Sequence, residues 1–248
     1  MIRDRPQRGN PHRLTINQDV FPSRNIERFA DIDGTISVQL VSQDKRFKLR
    51  PDDPLFCANR KWDQRAEEGY MKEIEDQFQD LAENIVNSIS SISPSEYPTV
   101  ANFFSLWHLR ARLRDESLPP QYASGMFAEN LTKDQEEILE RKHCAFVCQD
   151  QTFPERQILG LRIQMEIDWL ASQLKGVHWG ILKAMDGEFM APDTFGIMPI
   201  VPLSPSLCLV ADHGDSELPK SEVAAVNRLA RSTAARYCIA RNFATCPE

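Results

Sequence analysis

Two glutamates have the residue type and spacing of paired catalytic or metal-binding carboxylates. Glu68 and Glu75 are seven residues apart in AEEGYMKEIEDQF, so on a continuous helix both side chains project from nearly the same side. Such a pair can act as general acid and base or bind a divalent cation. It can also pair with arginines of a neighbouring helix and hold two helices together. The spacing alone leaves both interpretations open.

The arginines that could pair with these glutamates follow the aromatic run FFSLWHL. Arg110, Arg112 and Arg114 lie in the last turns of a helix predicted from about 99 to 115, where the helix dipole favours cations. The planar guanidinium group binds carboxylates in a bidentate geometry. We therefore expect Arg110 and Arg114 to be the partners. We favour the ion-pair interpretation, because structural networks resemble functional ones.

Asp193 is the only Asp, Glu, Lys, Arg or His in the run FMAPDTFGIMPIVPLSPSLCLVA, residues 189–211. Its four prolines exclude a membrane helix because each removes a backbone donor, and lipid offers no replacement partner. The run therefore predicts short, buried, extended pieces. Since an isolated buried carboxylate is costly, we expect Asp193 to cap backbone donors in a turn, pair with an arginine or contribute to a site.

Other common chemistries leave no trace in the sequence. His143, Cys144 and Cys148 could supply zinc ligands, but the second close pair that a structural zinc site needs is missing. The chain has no His-Glu-x-x-His, no phosphate-binding glycine loop, no dinucleotide fingerprint and no Gly-x-Ser-x-Gly. Cofactors and metals therefore stay unassigned.

The remaining sequence predicts the elements that position these residues. Segments 35–40 and 46–49 predict an antiparallel hairpin that turns at Asp44, and a second hairpin is predicted around Asp186-Gly187. Apolar residues at three-four spacing predict one helix from about Asp63 to Ser90.

Capping signals mark two later helices. Thr132 is followed by Gln135, and Thr152 by Glu155, each at the third position. The second of these helices runs to about Lys175, and its apolar residues spread over more than one face. We expect it to be central, with partners on two sides. Together the elements predict an α+β fold, a mostly helical single domain with a small antiparallel sheet.

Composition limits the classes of function. The net charge of -7 disfavours a large nucleic-acid-binding face. We predict a flexible basic arm at 1–13, with Arg3, Arg5, Arg8 and Arg13, followed by one globular domain at 14–248. The arm is the place where nucleic acid could bind. A polar N-terminus without a secretory signal and six dispersed cysteines predict a soluble, cytoplasmic protein without a membrane partner.

Several short blocks resemble the bacterial family called domain of unknown function 4238. VFPSRNIERFADIDGTISV is similar to its opening block, and AEEGYMKEIEDQF to its helix with two glutamates seven apart. FFSLWHLRARLR, FMAPD, PLSP and VAAVNRLARSTAARY follow in the family's order. The matching positions are Pro22, Arg28, Phe29, Gly34, Glu68, Glu75, Arg110, Asp193, Pro202 to Pro205, and Asn227.

The resemblance implies no established activity, but several of the matched positions are polar residues. Asp19, Ser23 and Trp107 replace a His and two Gln of the family. From the matched positions we hypothesise a hydrolase in which a catalytic cluster is formed by Glu68, Glu75, Arg110 and Asp193. Nucleic acid is one candidate substrate. The alternative is a non-catalytic binding or structural protein in which the same residues are helix-to-helix ion pairs.

Overall fold

The computed structural model describes residues 5–43, 45–88, 91–125 and 130–248. Arg3 of the predicted arm, Asp44 of the predicted hairpin turn and Ser90 at the predicted helix end lie outside these ranges. The described residues form the α-helices α1 (Ser23–Glu27), α2 (Gln64–Glu68), α3 (Tyr70–Asn87), α4 (Tyr97–Leu113), α5 (Lys133–Arg141), α6 (Glu155–Gln173) and α7 (Lys220–Thr233). Short 3-10 helices lie at Pro54–Phe56 and Phe243–Thr245.

The strands form two larger and two smaller sheets. They are β1 (Asn17–Asp19), β2 (Ile36–Leu40), β3 (Arg46–Leu49), β4 (Cys57–Asn59), β5 (Gln121–Tyr122), β6 (Thr152–Phe153), β7 (Trp179–Ala184), β8 (Ala191–Pro192), β9 (Ile200–Ser204), β10 (Leu207–Ala211), β11 (Ser216–Leu218) and β12 (Tyr237–Ala240). The four-stranded sheets have the orders β11-β7-β10-β9 and β3-β2-β12-β8. The two-stranded sheets are β1-β4 and β5-β6.

The predicted fold class is wrong in its proportions of helix and strand. Of the residues that the structure describes, 39% are helical and 19% lie in strands, which form four sheets, so the fold is mixed α+β rather than mostly helical with one small sheet. The strands are also not all antiparallel, since β11 pairs with β7 in parallel. The error has a physical reason. Short apolar runs such as 237–240 carry no periodicity that separates a strand from the end of a helix.

Helix α4 lies in the middle of the helices because its sequence is apolar on several sides. Phe103 stacks on Phe78 of α3 with ring centroids 3.7 Å apart, and the Trp107 ring lies 4.6 Å from that of Phe21. Another side of α4 packs along α6. Helix α6 contacts α2 as well as α4, so it has partners on two sides as predicted. The prediction that α6 is the central helix is wrong, because Met165 and Trp169 of α6 are exposed and α4 lies between α3 and α6.

Two local predictions are confirmed and two are wrong. Strands β2 and β3 pair antiparallel, and Thr132 caps α5 with a complete capping box. The second predicted hairpin does not form, because β7 pairs with β10 while β8 pairs with β12. Thr152 does not cap α6. It lies in β6 opposite Tyr122, and Pro154 precedes the first turn of the helix.

The run from 189 to 211 adopts the predicted short extended pieces. It contains β8, β9 and β10, with β9 and β10 paired antiparallel, and each of the five residues of β9 is buried. None of the helices formed by the described residues combines the length and apolar character needed to cross a bilayer.

The described part of the predicted basic arm, residues 5–13, contacts α5. The Gln7 backbone N–H donates to Glu137 Oε1 at 2.7 Å, and His12 Nε2 lies 2.7 Å from Asp134 Oδ1. Asn10 accepts from the backbone N–H of Leu14 at 2.9 Å. The arm is thus joined to the domain by polar contacts to one helix.

Candidate functional site

A break in the chain at Gly69 separates the two predicted catalytic glutamates. Helix α2 ends at Glu68, α3 begins at Tyr70, and Gly69 between them has φ -96° and ψ -120°. A Cβ at this position would lie 2.4 Å from the backbone oxygen of Arg65. The predicted continuous helix from Asp63 is therefore wrong. Glu68 and Glu75 do not share a helix face.

Glu68 lies at the surface, away from the other predicted site residues. Its carboxylate accepts from Arg141 Nη1 at 2.6 Å and lies 3.3 Å from His143 Nε2. Burial acts to raise the pKa of Glu68, but the hydrogen bonds from Arg141 and other neighbours outweigh it and lower the pKa below its usual value. Glu68 therefore joins α2 to the end of α5.

Arg110 occupies the position beside Glu75 that the sequence predicts. The guanidinium group is 2% exposed and donates to the Glu75 carboxylate. Its Nη2 also lies 3.6 Å from Glu67 Oε2, and its central carbon lies 5.2 Å from the Trp62 ring centroid. The Trp62 indole N–H donates to Glu67. Arg110 thus connects α4 to α2 and α3 at once.

Two carboxylates share this one guanidinium group, which changes how they titrate. Burial raises the pKa of Glu67, against the opposing effects of Arg110 and the Trp62 hydrogen bond. Burial also raises the pKa of Glu75. Their side chains stay 17% and 22% exposed. Such a pair can hold a proton more tightly than ordinary carboxyls, which is a property of acid-base sites and of structural networks alike.

Asp193 is completely buried and uses both carboxylate oxygens. Oδ1 accepts from the backbone N–H of Ala235 at 2.8 Å, and Oδ2 accepts from Arg114 Nη2 at 2.8 Å and from the Arg236 N–H at 3.1 Å. The Trp107 indole N–H donates to its backbone carbonyl at 3.0 Å. Both structural expectations for Asp193 are confirmed, since it caps the turn between α7 and β12 and pairs with an arginine.

The structure therefore brings together only Glu75 and Arg110 of the four predicted site residues. Glu68 and Asp193 belong to two other ion-pair groups. Glu67, which the sequence pattern does not single out, takes the position beside Arg110 expected for Glu68. An isolated glycine within a helical pattern is a recognised sign of an interruption, so Gly69 was the available signal.

A large cavity lies beside these groups rather than over them. Its volume is about 1110 Å³, and it lies between β4, the chain after α4 and the start of α6. The cationic residues that line it are Arg60, Lys61, Arg114, Arg156 and Arg236. It contacts the Asp193 group through Arg114, whereas Glu68, Glu75 and Arg110 are absent from its lining.

A buried ion-pair group supports one side of the cavity. Glu140 of α5 accepts from Arg60 Nη2 at 2.6 Å and from Arg156 Nε at 2.7 Å, and all three side chains are at most 6% exposed. Breaking such a group by removing one member leaves an uncompensated buried charge. The group therefore fixes α5 and the start of α6 relative to β4.

Thiol and metal chemistry find little support among the residues that the structure describes. No group of three or more His, Cys, Asp or Glu side chains there is arranged to hold a metal ion. The Cys57 thiol donates to Asp19 at 3.3 Å, and burial together with the Asp19 charge raises its pKa to about 12. A thiol with that pKa is protonated at neutral pH and is a poor nucleophile.

Comparison with known proteins finds no match: no family model, curated protein or solved structure is similar to this chain. The resemblance to domain of unknown function 4238 rests on the short sequence blocks alone and stays a prediction.

Proposed function

We propose that this protein is a non-catalytic binding protein in which Glu68, Glu75, Arg110 and Asp193 are ion pairs that join elements. The observation that carries the proposal is their division among three separate groups. Catalysis by one cluster requires the reacting groups to converge on a substrate within hydrogen-bond reach. These four side chains do not converge on a common cleft.

The partners of each residue support a structural role. Arg110 joins α4 to α2 and α3 through Glu67 and Glu75. Asp193 joins the end of α4 to the turn before β12. Each joins segments that are distant in sequence, and a buried pair of this kind loses about 3 to 5 kcal/mol when one partner is removed.

The cavity supports the binding half of the proposal. At about 1110 Å³ it is slightly larger than the usual range for small-molecule sites, about 300 to 1,000 Å³. It combines apolar with charged lining residues, as ligand sites do. Arg114 lines the cavity and also pairs with Asp193, so a ligand in the cavity would contact one of the ion pairs that hold the fold.

One assay separates this proposal from the hydrolase hypothesis. Phosphatase activity, nuclease activity and metal content are measured for the wild type, Glu75→Gln and Glu83→Gln. Glu83→Gln is the control, because Glu83 is an exposed residue of α3 that pairs with Arg24. We expect no turnover that distinguishes Glu75→Gln from the control. Turnover that disappears in a well-folded Glu75→Gln variant would refute the proposal.

A second candidate is hydrolysis at Glu67 and Glu75. It is favoured by the partial exposure of both carboxyls beside Arg110 and by the burial that raises the pKa of each. In that case one carboxyl supplies a proton and the other accepts one. Glu67→Gln and Glu68→Gln, added to the same assay, test this candidate. It predicts that turnover falls in Glu67→Gln and Glu75→Gln but not in Glu68→Gln.

A further inference from the structure

The lining of the cavity combines apolar and cationic residues. Leu118, Phe153, Pro154 and Ile158 contribute apolar surface, and several other prolines line the same space. Polar groups come from β4, from the chain after α4 and from Arg236 in the turn before β12. A ligand that fills the space therefore meets both apolar carbon and charged nitrogen.

Each cation that lines the cavity also binds a carboxylate. Among the described lining residues, five are cationic and three are acidic, namely Asp115, Asp150 and Glu155. Glu140 and Asp193, which are not in the lining, bind Arg60, Arg156 and Arg114 and offset the difference. Lys61 Nζ donates to Glu155 at 3.0 Å, and Arg236 donates to Asp115. An ammonium has three donors and a guanidinium five, so one ion pair leaves donors for a ligand.

Arg114 has donors that the described residues do not use. Its side chain is 2% exposed, and Nη2 is occupied by Asp193. Nε and Nη1 are buried and have no hydrogen-bond partner among the described residues, although Nε lies 3.7 Å from Asp115 Oδ2. Buried polar groups nearly always have partners. Unused donors on a buried guanidinium that lines a cavity can be satisfied by an acceptor that enters the cavity.

We propose that this cavity binds an amphipathic organic anion, whose phosphate, sulfonate or carboxylate group contacts Arg114 and Arg236 and whose apolar body lies against Phe153 and Ile158. The proposal deepens the proposed binding function and rests on it. Asp193 holds the Arg114 guanidinium in place, so the anion meets donors that are already oriented. Arginine suits this role because its planar donors match the oxygens of phosphates and carboxylates.

The probe is a pair of dyes that differ in charge. Anilinonaphthalene sulfonate is an aromatic anion, and N-phenylnaphthylamine has the same ring system without the sulfonate. Fluorescence titration of the full chain measures the affinity for each dye. We expect one saturable site for the sulfonate dye, with about tenfold lower affinity for the neutral dye, the change that one charge-assisted hydrogen bond of about 1.4 kcal/mol produces.

Two variants test the anion contact and one controls for general charge loss. Arg114→Lys keeps a cation beside Asp193 but removes the fork of donors, and Arg236→Gln removes a half-exposed cation of the lining. Arg24→Gln is the matched control, because Arg24 does not line the cavity and pairs with Glu83. We expect each of the first two changes to lower the affinity for the sulfonate dye about tenfold, with the neutral dye and the control unaffected.

The outcomes distinguish this inference from the proposed function. Equal sulfonate affinity in wild type and Arg236→Gln, or no saturable sulfonate site at millimolar dye, overturns the anion site. If Arg114→Lys does not fold, Arg236→Gln alone decides. Turnover that depends on Glu75 overturns the proposed function but leaves a charge-selective dye site standing, because Glu75 does not line this cavity.

Discussion

At the scale of single residues, the molecule uses buried charges as connections between elements. Asp193 shows this most clearly, because burying a carboxylate without partners is very costly. Three donors surround it, one guanidinium and two backbone N–H groups. A carboxylate held in this way is part of the turn that it caps and is out of reach of a substrate.

Asp193→Asn tests that role. The change leaves the Arg114 charge buried without its counterion, so we expect the free energy of unfolding to fall by about 3 kcal/mol or more. Denaturant titration measures the change. The exposed carboxylate of the Lys72–Asp76 pair provides a control, since Asp76→Asn is expected to cost less than about 1 kcal/mol.

The double variant Asp193→Asn/Arg114→Met sharpens this test. Removing both charges removes the unpaired cation, so the double variant is expected to be more stable than Asp193→Asn alone. Additive losses from the two single changes would mean that the charges are not coupled, and would contradict the assignment of this pair.

Glu67 gives the fold a predicted pH dependence. Burial raises its pKa in the folded state above the usual value near 4.5, so the folded state binds this proton more tightly than the unfolded chain does. The stabilising contribution is complete below about pH 4.5 and is lost as the pH rises through the folded-state pKa.

Unfolding measurements on wild type and Glu67→Gln from pH 4 to pH 7 test this sign. Because glutamine does not ionise, the stability of wild type relative to Glu67→Gln should decrease as the pH rises across roughly this range. A relative gain for wild type over the same range would show that the Arg110 charge lowers the pKa of Glu67 more than burial raises it.

At the scale of elements, Gly69 decides which glutamate faces Arg110. The break that it introduces rotates α3 relative to α2, so Glu67 and Glu75 reach the same guanidinium while Glu68 turns towards α5. A side chain at 69 would contact the Arg65 carbonyl at 2.4 Å, closer than atoms can approach without a backbone shift.

Gly69→Ala should therefore destabilise the fold by about 1 to 3 kcal/mol, the usual cost of overpacking. Thermal unfolding measures it. Gly214→Ala is the matched control, because a Cβ there meets no atom within 4 Å, and we expect a change near zero. Equal stability of Gly69→Ala and the control would mean that α2 and α3 can join as one helix.

Elements with local signals could be predicted from the sequence. The hairpin of β2 and β3 and the Thr132 cap of α5 depend on neighbouring residues. The sheets could not be predicted, because their pairings are set by packing between distant segments. Strand β12, for example, is inserted between β2 and β8, and nothing within 237–240 specifies either partner.

The candidate site was predictable to a similar degree. Residue chemistry predicts that Glu75 pairs with Arg110 and that a buried Asp193 needs an arginine or a cap, and the structure contains these contacts. The choice of Glu67 over Glu68 depends on one backbone break. The described residues that line the cavity come from five parts of the chain, so spacing within the sequence does not indicate it.

At the scale of the whole molecule, Arg110 is the point where three helices meet. It is nearly fully buried and connects α4, the centre of the helices, to α2 and α3. Burial alone would lower the pKa of Arg110, but the charges of Glu75 and Glu67 outweigh it and raise the pKa above its usual value. The Arg110 guanidinium is therefore permanently charged, and Glu67 and Glu75 hold it between the helices.

The melting temperature of Arg110→Ala tests the structural role of these residues most directly. Removing the guanidinium leaves Glu67 and Glu75 facing each other without a cation and opens space beside Trp62. We expect a loss of about 3 to 5 kcal/mol, which lowers the melting temperature by about 10 °C in a chain of this size. A melting temperature within about 2 °C of wild type, together with loss of a reproducible turnover, would contradict the account and make Arg110 a catalytic residue.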